Sequence, residues 1–161
     1  MALFVLVHGS WHGGWCWKKV TPLLRSAGHE VLTPTLTGLG ERAHLLTPDI
    51  GLDTHIQDVT AALTYEDARD VVLVGHSYGG LVIACVADRV TDRLGHLVYL
   101  DALMPRPGET LREVFSADGI AELDARAREF GDGWRVPPLS PDIFGVTAEA
   151  DVAWMQPRLT D

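Results

Sequence analysis

Val71-Val72-Leu73-Val74-Gly75-His76-Ser77-Tyr78-Gly79-Gly80-Leu81 joins a short apolar run to a helix-like one through a turn of three glycines and a serine. Four consecutive apolar, mostly β-branched residues suit a strand buried on both faces of a parallel sheet. Leu81 to Val90 then has the length and composition of a helix. A serine on so sharp a strand–turn–helix connection must adopt strained backbone angles, and Gly75 and Gly79 leave room for strand and helix to approach. The hydroxyl stands clear at the carboxyl end of the strand, and the N–H groups that open the helix face the same spot. This spacing makes Ser77 a candidate nucleophile and the main-chain N–H of Tyr78 a candidate oxyanion donor.

Outward from this turn, the pattern repeats. Leu3 to Val7 reads as a first buried strand that ends at His8-Gly9-Ser10. Trp15 to Ala27 reads as a helix, either kinked at Pro22 or started afresh there with Thr21 as its cap, and Gly28 closes it. Glu30 to Thr33 is a second strand, and Pro34 to Gly51 a loop interrupted by Pro34, Gly38, Gly40 and Pro48. Asp53 can cap a helix with Ile56, Val59 and Leu63 on one face. Leu97 to Leu100 is a fourth strand. Strands alternating with helices in this way predict a doubly wound, mostly parallel open α/β sheet over residues 1–103. If the second strand lies outside the first, the first and third are neighbours, and Ser10 and Ser77 meet at the crevice where the chain direction reverses. The Ser10 N–H then pairs with that of Tyr78 as the second oxyanion donor.

Residues 104–161 have a different texture. Prolines and glycines flank a charged amphipathic stretch from Glu109 to Phe130, and a short helix-like piece carries Trp154 and Met155. This segment predicts a small helical cap over the strand ends. Trp134, Phe144 and Trp154, with Trp11 from the loop after the first strand, are candidates for an apolar substrate pocket, and serve equally well as core of the cap.

The chain has 161 residues, 47% hydrophobic and 22% charged, with a formal net charge of -9. That length suits one domain, and the acidity disfavours nucleic acid, since no basic surface is left to neutralise phosphates. No apolar run approaches the roughly 20 residues that span a bilayer. The two cysteines, Cys16 and Cys85, make no disulfide framework, and no metal cluster or phosphate loop is evident, so no cofactor is expected. A cytoplasmic enzyme acting on a small molecule fits these facts.

The stretch Phe4 to Trp17 (FVLVHGSWHGGWCW), the GHSYGG turn at Gly75 to Gly80 and VYLDALMP at Val98 to Pro105 resemble the plant methylesterase and hydroxynitrile lyase family and its bacterial esterase relatives. The likeness runs over most of the first 105 residues and returns weakly at Trp154 to Leu159. It implies an α/β-hydrolase fold with a small cap, an ester hydrolase using Ser77 as nucleophile, and Ser10 and Tyr78 as oxyanion donors. The lyases of this family carry a threonine at the place of Gly9, whose hydroxyl helps bind the cyanohydrin. They also need a lysine just after the catalytic histidine, in a region this chain does not contain. Gly9 thus favours ester hydrolysis over carbon–carbon lysis.

A serine nucleophile needs a base, and the base an orienting acid, in the chain order serine, acid, histidine. After Ser77 the sole histidine is His96, placed just before the fourth strand at the wrong end of the sheet. His8 and His12 read as shaping the oxyanion loop, and His29, His44 and His55 as solvated. Asp101, at the carboxyl end of the fourth strand, is a candidate acid, whereas the family resemblance places that acid one strand later. The expectation is a sheet incomplete on its C-terminal side, with the fourth strand open to a second copy or a complementing segment, and a 161-residue form that is inactive or merely binds its ligand.

Overall fold

The computed structural model describes residues 1–161. Four strands, β1 (Leu3–Val7), β2 (Glu30–Leu32), β3 (Val71–Ser77) and β4 (Leu94–Ala102), form one sheet in the order β2-β1-β3-β4. Every pairing is parallel: Val5 lies opposite Leu32 on one side and Leu73 on the other, and Leu73 in turn opposite Leu97. The expected doubly wound sheet is therefore present, with β1 and β3 adjacent.

The alternation of side chains along each strand explains why both faces are covered. Val5, Val7, Val71 and Leu73 face Ile56, Val59 and Leu63 of α2 (Leu52–Tyr65) and Val82, Ile83 and Val86 of α3 (Tyr78–Arg89). Leu6 and Val74 face the other way, against Trp17 and Leu24. Trp17 belongs to a 3-10 turn over Gly14–Lys19, and Leu24 to α1 (Thr21–Ser26). The helix expected from Trp15 to Ala27 is thus two pieces. Pro22 has no N–H to give and takes the first turn of the second piece, where none is needed. Thr21 is the first helical residue rather than the cap.

Asp53 does not cap α2 either. Gly51 holds that position, and the Asp53 carboxylate pairs instead with Arg89 on α3. β4 is longer than its apolar centre suggested, so that His96 lies inside it, opposite Val72.

From Met104 onward the chain forms no strand. It supplies α4 (Leu111–Val114), α5 (Ala117–Phe130) and α6 (Glu149–Met155), the first two in place of the expected amphipathic stretch. A capping box, in which Thr110 and Glu113 bond each other's main chain, starts α4. Ser116 accepts from the Gly119 N–H at the start of α5. No helix is long and apolar enough to cross a membrane.

The outer edge of β4 has no neighbouring strand. Leu97, Val98 and Leu100 are 40%, 40% and 48% exposed there, whereas Leu73 and Val74, opposite the first two on β3, are buried.

Candidate active site

Ser77 ends β3 with φ +52° and ψ −121°, a conformation that costs a non-glycine residue on the order of 1–3 kcal/mol. Two glycines make it feasible. A Cβ on Gly75 would lie 2.5 Å from the Gly79 carbonyl oxygen, and one on Gly79 would lie 2.7 Å from that of Val7. Strand, turn and helix therefore close on one another only with hydrogen at both positions. Ser77 is held from the far side too, since its carbonyl accepts from the Leu103 N–H at 2.9 Å.

The loop after β1 reaches the same point. A Cβ built on Gly9 would stand 2.9 Å from Ser77 Cβ, so the main chain of Gly9 and Ser10 passes directly against the serine. The Ser10 N–H donates to no protein group. The Tyr78 N–H, in the first turn of α3, has no carbonyl within its own helix to bond. Two free N–H donors and one hydroxyl thus flank a single cavity of about 560 Å³, whose wall includes Ser10, Ser77 and Tyr78.

His8 sets the direction of one of these donors. It is completely buried, and its Nε2 accepts from the Leu36 N–H at 3.1 Å. The proton therefore sits on Nδ1, which donates to the Gly9 carbonyl at 2.8 Å. That carbonyl and the Ser10 N–H belong to one planar peptide and point in opposite directions. Fixing the first aims the second. Burial pushes the His8 pKa down to about 4, which keeps the ring neutral and this pattern intact at neutral pH. His12 Nδ1–H donates to the Ser10 carbonyl at 2.7 Å and steadies the next peptide, and burial lowers its pKa as well.

His55, expected on a solvated surface, is buried and lines the cavity. Its Nε2–H donates to the Thr37 carbonyl at 3.0 Å, so its Nδ1 accepts from the Tyr78 hydroxyl at 2.9 Å. Burial lowers the His55 pKa and raises that of Tyr78, leaving both neutral. The clue in the sequence was the i, i+4 spacing of His55 and Val59, which puts the histidine on the buried face of α2. His76 turns away from Ser77, edge-on to Trp17. His96 lies five residues before the register of Ser77, about 17 Å along the strands. No histidine is hydrogen-bonded to the serine.

Asp101 sits at a bulge. His76 pairs with Leu100 and Ser77 with Ala102, leaving Asp101 as the extra residue with φ +44°. Its side chain is exposed on the open edge, where its charge opposes the burial-driven drop in the His76 pKa, and it does not line the cavity.

The aromatic candidates divide. Trp11 and Phe144 line the cavity, with ring centroids 6.0 Å apart. Trp134 is 42% exposed and has the Arg135 guanidinium over its ring. Trp154 lies edge-on to Trp15, which stacks on His12, and does not line the cavity. The remaining apolar wall comes from residues the sequence did not single out, including Leu39, Leu103, Phe115, Leu123 and Ile143. The wall carries only two charged side chains, Glu122 and Asp161, and the latter is paired with Arg135 at 2.6 Å. No cluster of three or more acidic, histidine or cysteine side chains could hold a metal ion.

Comparison with known proteins bears on this geometry. An esterase from Nocardioides sp. (strain SG-4G) that hydrolyses carbendazim is 46% identical over 157 residues, covering 92% of this chain and 64% of the relative. Methylesterase 1 of Arabidopsis thaliana is 40% identical over 104 residues, or 63% of this chain and 40% of that one. Among solved structures, an extracellular α/β-hydrolase from a Paenibacillus species superposes with a TM-score of 0.87 at 26% identity, over 99% of this chain and 66% of the other. The chain thus spans under two thirds of the length of these curated relatives. The model of the alpha/beta hydrolase family matches residues 4–160, the whole run from β1 through the last helix. With that match, the parallel sheet and the strained serine turn, the chain belongs to the α/β-hydrolase family.

Proposed function

We propose that the protein is a serine hydrolase of small carboxylic esters, with Ser77 as nucleophile. The observation that carries this reading is the convergence of Ser77 with two unbonded main-chain N–H groups, of Ser10 and Tyr78, on one largely apolar cavity. The Ser77 hydroxyl attacks the acyl carbon, the two N–H groups hold the oxyanion, and an acyl-enzyme forms and is hydrolysed. Esterases and methylesterases among the relatives support ester hydrolysis as the general chemistry. Residues 104–161 act as a cap that supplies the apolar wall. Trp11 and Phe144 contact the substrate there. The proton that leaves Ser77 goes to a general base, and none of the chain's histidines is hydrogen-bonded to Ser77 in this structure. No cofactor takes part.

Carbon–carbon lysis is the competing chemistry, and Gly9 separates the two. In this backbone any side chain at position 9 collides with Ser77 Cβ and comes within 3.3 Å of His76 Nδ1. Overpacking of this kind costs about 1–3 kcal/mol. Gly9→Thr is therefore expected to lower p-nitrophenyl acetate hydrolysis about 10- to 100-fold without releasing cyanide from mandelonitrile. Cyanide release by the parent chain, with Gly9 in place, would overturn the esterase reading. A form that merely binds would retain an ester and return it intact.

The open edge of β4 takes a further strand, from a second copy or from a complementing segment. An unpaired parallel edge with exposed Leu97, Val98 and Leu100 is a template for association. Light scattering behind a sizing column should show concentration-dependent association of the 161-residue chain. A monodisperse monomer at high concentration contradicts it. A cytoplasmic location belongs to the same proposal and rests on composition and two free cysteines, although the Paenibacillus relative is extracellular.

A further inference from the structure

Trp11 follows Ser10 directly, and its φ of +64° is one that a bulky side chain holds only when its surroundings enforce it. The surroundings are contributed by the far end of the chain. The Trp11 indole N–H donates to the Val136 carbonyl at 2.7 Å, and the Trp11 carbonyl accepts from the Thr160 N–H at 3.0 Å. Thr160 is itself fixed, since its hydroxyl accepts from the Gly40 N–H at 2.9 Å. Phe144 closes the clamp by packing on the Trp11 ring and standing edge-on to His12, the residue that holds the Ser10 carbonyl. Rotation about the Trp11 N–Cα bond turns the Ser10–Trp11 peptide, and with it the residue whose N–H faces the cavity.

We infer that Trp11 is a positioning residue that couples docking of residues 136–160 over the cavity to the alignment of the Ser10 N–H. His8 holds the Gly9–Ser10 peptide from one side and the Trp11 clamp holds it from the other, so the oxyanion donor loses one of its two restraints when that segment lifts. This inference rests on the reading of Ser10 as an oxyanion donor. It assigns Trp11 a role through its two main-chain partners, distinct from contact with substrate.

Trp11→Phe keeps an aromatic ring at the position and removes the indole N–H donor. Thr160→Pro removes the N–H and hydroxyl from the opposite side, and serves if the first variant folds poorly. Nitrogen-15 relaxation dispersion on the 161-residue chain is expected to show millisecond exchange at Gly9 and Ser10 together with Val136 and residue 160 or its neighbours. Leu6 and Val74 in the sheet stay unchanged. For p-nitrophenyl acetate, with imidazole added as base, Thr160→Pro, which lies outside the cavity wall, lowers kcat about tenfold while KM holds within about twofold, the pattern of a lost transition-state contact. Exchange confined to residues 136–160, with Gly9 and Ser10 silent in both variants, overturns the coupling. If Gly9 and Ser10 respond but no ester is turned over by any form, the clamp stands and the esterase reading falls.

Discussion

Replacing Ser77 by alanine is expected to abolish ester turnover, with the loss measured against a base supplied in solution. Ser77 has its two N–H donors but no hydrogen-bonded histidine. The 161-residue chain alone should therefore hydrolyse p-nitrophenyl acetate slowly. A cavity of about 560 Å³ with Ser77 in its wall admits an imidazole molecule beside the ester. Rates should then rise with imidazole and saturate, because the added ring binds in a cavity and takes the hydroxyl proton there. In Ser77→Ala only the linear reaction of imidazole in bulk solution remains. The difference should reach about 1000-fold at saturating imidazole, short of the roughly million-fold loss when a serine with a fixed base is removed, because the added base is not held in place. Equal, unsaturated rates in the two proteins would mean that Ser77 is not the attacking group.

The second large effect concerns His8, whose ring bridges the main chains of Leu36 and Gly9 from a site without solvent exposure. His8→Ala leaves an N–H and a carbonyl unpaired in the interior and opens a void, at a combined cost of about 3–5 kcal/mol. The same residue gives stability a pH dependence of defined sign. Its folded pKa of about 4 lies below the ordinary 6.5, so burial favours the neutral ring. Stability is complete above about 6.5, declines as the unfolded chain takes up a proton that the folded one refuses, and levels off below about 4. A shift of this size corresponds to about 3 kcal/mol. His55 and His12 shift in the same direction and add to the loss. Thermal unfolding followed from pH 7 to pH 4 should show the decline, and His8→Asn should flatten it while lowering stability at pH 7. A His8→Asn curve parallel to that of the parent would show that His8 is not the group responsible.

What the sequence revealed and what it concealed follow from how local each constraint is. The elbow at Ser77 was legible because its tightest contact is local, where only glycine at position 75 tolerates the Gly79 carbonyl at 2.5 Å. The adjacency of β1 and β3 followed from the sequence only on the condition that the second strand lies outside the first, and the order β2-β1-β3-β4 meets that condition. His55 was misread because its partners, Thr37 and the Tyr78 hydroxyl, lie 18 and 23 residues away. A histidine in a polar stretch gives no sign of such bonds except its spacing from Val59. The cavity wall was the least legible part. Trp134 and Trp154 are large and aromatic, as pocket residues often are, yet neither lines the cavity: Trp134 is exposed and Trp154 packs on Trp15. Much of the wall is formed instead by ordinary leucines and phenylalanines of residues 103–144. Asp101 has the residue type of an acid and the right strand end, but the bulge between β3 and β4 turns it outward.

The account turns on whether Ser77 is the one activated hydroxyl facing the cavity. Incubation with diethyl p-nitrophenyl phosphate and imidazole, followed by peptide mass spectrometry, addresses this directly. The serine oxygen displaces p-nitrophenolate at phosphorus, and the tetrahedral adduct places its phosphoryl oxygen where the Ser10 and Tyr78 N–H groups point. One diethylphosphoryl group on the peptide containing Ser77, absent after Ser77→Ala, is the predicted result. An unlabelled Ser77, or label that persists on another side chain in Ser77→Ala, would contradict it.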